Sequence, residues 1–96
     1  MKSNQEISPL LSLSEVCETL GARTRVRRKS LKLSRRELSE KSGVSVPTIG
    51  RFETKGVATL SVVVKIAFAL QAVDTLNSVF IAPKSKSIEE YLREDR

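Results

Sequence analysis

Between Ser34 and Lys55 the sequence signals two short helices with only three residues between them, and that spacing restricts the fold more than any other feature. Ser34-Arg35-Arg36-Glu37 has capping-box spacing, in which hydroxyl and carboxylate satisfy each other's free amides at a helix start. Gly43 is the left-handed residue that ends such a helix, so a helix is expected from Arg35 to Ser42. Ser45 then caps a second helix, where Pro47 costs little because first-turn amides have no intrahelical acceptor. That helix is expected from about Val46 to Thr54, with Lys55-Gly56 breaking it. So short a link makes the pair cross steeply, and Leu38, Val44, Ile49 and Phe52 give it a shared apolar plug.

The flanking sequence supplies supporting helices. Residues 1–11 are polar and carry Pro9, which reads as a mobile arm. Ser12-Leu13-Ser14-Glu15 is another capping box, and Leu13, Val16, Cys17 and Leu20 recur at helical spacing toward Leu31, as one core-facing stripe. Cys17 reads as a core residue in that stripe rather than a redox sensor. Thr59 caps a further helix whose Leu60, Val63, Val64, Ala67 and Leu70 keep the 3.6-residue rhythm, with Ile66 and Phe68 off the stripe; it is expected to be largely buried. After a bend at Gln71-Ala72, Val73, Leu76, Val79 and Phe80 suggest a fifth short helix ending at Ile81-Ala82-Pro83. Lys84-Ser85-Lys86 reads as a linker, and Ser87-Ile88-Glu89-Glu90 caps a last turn or two carrying Tyr91 and Leu92. The expectation is an all-α fold: an arm at 1–11, a compact five-helix domain at 12–82 and a tail at 83–96.

Charge is unevenly placed. Residues 22–56 hold eleven Lys and Arg against three Glu, whereas residues 57–96 balance five against five and residues 1–21 carry one Lys against three Glu. A solvated basic face and a polyanion-binding face both fit such a segment; a confined patch of this sign can displace counterions from phosphates. Some of the cations, Arg27, Arg28 and Lys29 among them, also sit where a helix C-terminus favours positive charge. With no His and a single Cys, the usual zinc-ligand sets and His-based acid–base or nucleophile pairs are unavailable. No catalytic residue, metal or cofactor is expected. The lone Cys and the lack of a signal peptide or bilayer-spanning apolar run point to a cytoplasmic protein with no membrane partner.

The stretch RKSLKLSRRELSEKSGVSVPTIGRFETKG resembles the lambda-repressor and Cro-like (XRE-type) helix-turn-helix family in its apolar positions, turn glycine and late Glu. The resemblance runs from about Leu20 to Phe80. It implies a lambda-repressor-like DNA-binding domain in which the helix from Val46 enters the major groove of duplex DNA. Carried over position by position, the family's base-reading residues fall on Val46, Pro47 and Arg51. Val46 and Pro47 cannot make bidentate hydrogen bonds but can touch a thymine methyl, while an Arg51 guanidinium can grip guanine O6 and N7 or, alternatively, a phosphate. Arg35 stands where the family commonly has Gln, which makes a phosphate contact the expected role. Ser39 stands at the small position where the two helices approach. Ser34, Ser45, Thr48, Thr54 and Lys55 flank the groove and would fix register on phosphates, although capping also accounts for Ser34 and Ser45. Glu53 occupies a position that pairs with an Arg of the first helix, here Arg28, as a structural ion pair.

The resemblance also implies a homodimer reading two half-sites about one helical turn apart. Leu76, Val79, Phe80 and Ile81 are the expected interface, with packing on their own core as the alternative. The function implied is a transcriptional repressor. A looser similarity to the antitoxins that accompany HipA-like kinases leaves a second reading, a DNA-binding antitoxin that also binds a toxin partner through the arm or tail. A protein-interaction module without DNA binding is the reading of another class, and the localised charge speaks against it.

Overall fold

The computed structural model describes residues 12–83 and 86–94. The expected arm at 1–11 and the linker residues 84 and 85 lie outside them. Five α-helices and one 3-10 helix make up the regular structure of the described residues: α1 (Leu13–Ser30), α2 (Arg35–Ser42), α3 (Val46–Lys55), α4 (Leu60–Ala69), a 3-10 helix (Val73–Ser78) and α5 (Ile88–Arg93). None of them is long and apolar enough to cross a membrane.

Local chemistry sets these boundaries. Ser12 with Glu15, Ser34 with Glu37 and Ser87 with Glu90 all form complete capping boxes, and Ser45 and Thr59 cap α3 and α4 through their hydroxyls. Gly43 and Gly56 end α2 and α3 in the left-handed region, at φ 77° and 71°. Two other helix ends use the same geometry without glycine. Lys32 (φ 58°) follows α1, where Leu33 N–H donates to the Arg28 carbonyl; Gln71 (φ 56°) follows α4, where Ala72 N–H donates to the Ala67 carbonyl. Each is a Schellman turn that drops an apolar residue, Leu33 or Ala72, onto the core.

Leu38, Val44, Ile49 and Phe52 form the buried plug of the α2–α3 pair, completed by Ile66 of α4 and by Leu70, the residue that caps its C-terminus. Helix α1 packs chiefly on α3, and α2 packs on α3 and α4. The α1–α3 contact is unusually close. A Cβ on Gly21 would lie 2.1 Å from the Phe52 carbonyl oxygen, and one on Gly56 would lie 2.2 Å from that of Cys17. Backbone meets backbone at both ends of the crossing, which only glycine permits.

Three expectations are corrected. The apolar stripe of α1 is not a buried one: Leu13 is 83% exposed and Leu20 is 41% exposed, while the buried residues of the helix are Gly21 and Arg28. Helix α3 ends at its C-cap Gly56, opposite Cys17, so the first turn of α1 runs beyond the end of α3, and among the described residues Leu13 stays exposed. Along α4 and its C-cap the inward stripe is Val62, Val63, Ile66, Ala69 and Leu70, which keeps Val63 and Leu70 of the expected stripe but not Leu60, Val64 or Ala67, and Leu60 and Phe68 are left 77% and 65% exposed. The fifth element is a 3-10 helix that stops at Ser78, so Val79, Phe80 and Ile81 follow it outside any helix. Phe80 at φ 56° is a bulky residue in the left-handed region, which breaks the helical path at that point.

Candidate nucleic-acid interface

Helix α3 buries Ile49, Phe52 and Glu53 and turns the opposite side outward. Pro47, Arg51 and Thr54, at i, i+4 and i+7, form its exposed ridge. Val46, 39% exposed, stands beside Pro47 in the first turn, and Lys55 closes the far end. Arg51, Thr54, Lys55 and Val57 line a shallow groove of about 470 Å³ there. Of the expected base-reading residues, Pro47 and Arg51 therefore share the exposed ridge with Thr54, while Val46 and Lys55 are exposed at its two ends.

Hydrogen bonds within the chain already engage several of the polar groups around this ridge. Ser45 Oγ accepts from Thr48 N–H at 3.3 Å and donates to Thr48 Oγ1 at 2.8 Å. Thr54 Oγ1 donates to the Gly50 carbonyl at 2.8 Å. Ser34 Oγ accepts from Glu37 N–H at 3.0 Å. The backbone N–H of Ser34, and then its hydroxyl, bond the Glu37 carboxylate in return and hold it below its ordinary pKa.

The helix pair is held by a buried cluster. Arg28 Nε and Nη2 donate to Glu53 Oε2 and Oε1 at 2.7 and 2.9 Å, a bidentate fork, and Arg28 Nη1 donates to the Leu33 carbonyl at 2.8 Å. One guanidinium thus joins α1, the α1–α2 turn and α3. Arg35 Nε adds a third donor to Glu53 Oε1 at 3.1 Å. Burial pushes the Glu53 carboxyl up, but hydrogen bonds from Arg28 and Arg35, with their charges, outweigh that and hold its pKa below the ordinary carboxylate value. The Glu53 hydrogen bond pushes Arg28 further up in turn.

The Arg35–Glu53 bond is what sequence reasoning missed. Arg35 stretches across α3 beside Gly50, with Nη1 3.4 Å from where a Cβ on Gly50 would stand. Its guanidinium is held at the edge of the outward ridge, about one-third exposed. A residue pairing eighteen positions apart depends on the crossing of α2 and α3; the one sequence signal was a Gly at 50, leaving room above the helix. Arg27 also has a role the sequence did not reveal: its Nε and Nη2 donate to the Leu70 and Gln71 carbonyls at the end of α4, at 3.1 and 2.8 Å.

Of the residues expected at a subunit interface, Leu76 is half-buried on the 3-10 helix, whose packing partner is α4. Val79, Phe80 and Ile81 are 55%, 99% and 63% exposed. They lie together in sequence but belong to a different part of the chain from the α3 ridge.

A family model described as Helix-turn-helix matches residues 25–75, more than half of the chain. No curated protein and no solved structure matches it. The matched span begins within α1, runs through α2, Gly43 and α3, and closes in the 3-10 helix, so it takes in the helix pair together with the α4 residues that complete its core. With its capped helix pair, left-handed turn glycine and exposed α3 ridge, the chain belongs to the helix-turn-helix family of the lambda-repressor and Cro-like type, a family of DNA-binding transcription regulators.

Proposed function

We propose that this chain is a sequence-specific repressor that binds duplex DNA as a homodimer, laying the N-terminal half of α3 in the major groove. The observation that carries the reading is the state of its arginines around α3. Arg28 and Arg35 are tied to Glu53, whereas Arg51 projects from the exposed ridge, which suits a side chain that meets base edges from a recognition helix. Val46, Pro47 and Arg51 make the base contacts. Arg35, Thr48, Thr54 and Lys55 contact phosphates, and the caps Ser34 and Ser45 lie alongside them. Two copies join through Leu76, Val79, Phe80 and Ile81, since a single small domain buries too little surface for specific affinity. Repression needs only occupancy of the operator.

A gel-shift titration of the purified chain against selected duplexes, repeated over a range of salt, tests this. Affinity should fall linearly in log–log form as salt rises. Arg51→Ala should weaken binding to the preferred duplex by about 5- to 150-fold and flatten its preference. An unchanged preference in that variant would sink the readout assignment.

The antitoxin reading is favoured by one observation: Ile88 and Leu92, one turn apart on α5, are 74% and 71% exposed and offer a protein partner an apolar edge. Co-purification with the product of an adjacent gene, expressed from the native operon, tests it.

A further inference from the structure

The first turn of α3 is poor in hydrogen-bonding side chains. Val46 is aliphatic, and Pro47 has neither a polar side chain nor a backbone N–H. Ser45, which precedes them, has its proton on Thr48 Oγ1 and accepts the Thr48 N–H. Further along, Thr54 spends its proton on the Gly50 carbonyl, and Gly50 has no side chain. Thr48 is half-buried on the flank of the helix rather than on the Pro47–Arg51–Thr54 ridge. Among the described residues, Arg51 is thus the one ridge side chain that has donors not engaged in a hydrogen bond.

The DNA major groove presents one apolar feature at its base edges, the methyl group at pyrimidine C5. We infer that the Val46–Pro47 end of α3 recognises pyrimidine C5-methyl groups, with Arg51 about one helical turn further on supplying the single hydrogen-bonded base contact. The ligand class is a duplex whose half-site places one or two C5-methylated pyrimidines next to a guanine. This deepens the DNA-binding reading and rests on it. Thymine and 5-methylcytosine carry the same methyl group at the same place, so both fit the chemistry.

The perturbation can be made on the DNA, leaving the fold of the protein untouched. A preferred duplex is first selected by the full chain from a random pool. Each thymine is then replaced singly by uracil, which removes the methyl and nothing else. Uracil should cost about fourfold in affinity per methyl lost at one or two adjacent positions in each half-site, and nothing elsewhere. At those positions a thymine-to-cytosine change should weaken binding, and 5-methylcytosine in place of cytosine should recover about fourfold. Val46→Ala should abolish the uracil penalty at one of them. Tight, sequence-selective binding with uracil tolerated at every position would overturn the inference and leave the DNA-binding reading standing. Recovery by thymine but not by 5-methylcytosine would show that the whole base is read and would also overturn it. Failure to bind any duplex at low salt would overturn the DNA-binding reading itself and the inference with it.

Discussion

Neutralising Glu53 should destabilise the fold more than any change on the outward side of α3. Its side chain is fully buried, and its two oxygens receive three donors: Arg28 Nε at 2.7 Å, Arg28 Nη2 at 2.9 Å and Arg35 Nε at 3.1 Å. Glu53→Gln keeps one carbonyl acceptor but turns an amide NH2 toward guanidinium donors and leaves the buried Arg28 without a counter-charge. Removing one partner of a buried pair costs about 3–5 kcal/mol. The retained hydrogen bond puts the variant near the lower figure, about 3 kcal/mol, against a total stability of roughly 5–15 kcal/mol for a domain of this size. Thermal unfolding followed by far-UV circular dichroism should therefore show Tm lowered by roughly 12–24 °C near neutral pH. The effect should also depend on pH, with a determined sign. Because the folded Glu53 pKa is held below its ordinary value of 4.5, its contribution is complete above that value and is lost as pH falls through the depressed one. The gap between the two proteins should be constant from about pH 7 down to about pH 5 and should close in stronger acid. A Tm within about 4 °C of the unsubstituted protein, or a gap undiminished in acid, would refute the reasoning.

Other perturbations separate the causes at work. Gly21→Ala sets a methyl 2.1 Å from the Phe52 carbonyl and must push α1 off α3, at a cost of about 3 kcal/mol or more. Gly43→Ala, with nothing within 4 Å of its Cβ, bears only the left-handed penalty of about 1–2 kcal/mol. Urea titrations should rank them in that order. Lys32→Gly relieves a left-handed residue at φ 58° and should stabilise by about 0.5–1 kcal/mol after the added freedom of the unfolded chain, read as a raised Tm. Arg35→Met should leave Glu53 paired with Arg28 and lower stability by about 1 kcal/mol at most, since Arg35 is partly exposed. The same variant should reduce the salt slope of DNA binding by about 0.9, one phosphate contact, and an unchanged slope would remove Arg35 from the interface.

The helix starts at Ser12, Ser34, Ser45, Thr59 and Ser87 were legible because a cap is a local event, decided by a hydroxyl and amides two or three residues away. The plug of Leu38, Val44, Ile49 and Phe52 was legible for a related reason, since a three-residue link leaves the paired helices few ways to meet. Helix α4 was less so. It is apolar on nearly every side, and periodicity cannot select a face when Val62 and Val64 are equally eligible; the choice is made by where α2 and the plug lie. In α1 the leucines misled, because the buried line runs through Gly21, where close backbone contact with α3 leaves no room for a side chain, and Arg28, whose guanidinium is taken in by Glu53. The third donor on Glu53 was out of reach, because Arg35 arrives there only through the α2–α3 crossing.

The Glu53 cluster also links folding to the proposed binding surface. Its carboxylate carries one negative charge against two guanidiniums, so the cluster keeps a positive excess. Arg28 is sealed in the interior with its donors on Glu53 and Leu33, which leaves the excess to emerge at Arg35, the partly exposed member. Arg35 is fixed at one edge by the Nε bond to Glu53, so its outer nitrogens are positioned beside Gly50 before any ligand arrives. A planar guanidinium held in this way loses little freedom on meeting an anion, whereas a free lysine at the same place would have to be ordered at the moment of binding. The residue that ties α3 to α1 from within thereby also orients a cation at the rim of α3. On the proposed reading, a phosphate at that rim completes a charge balance that the fold alone leaves open.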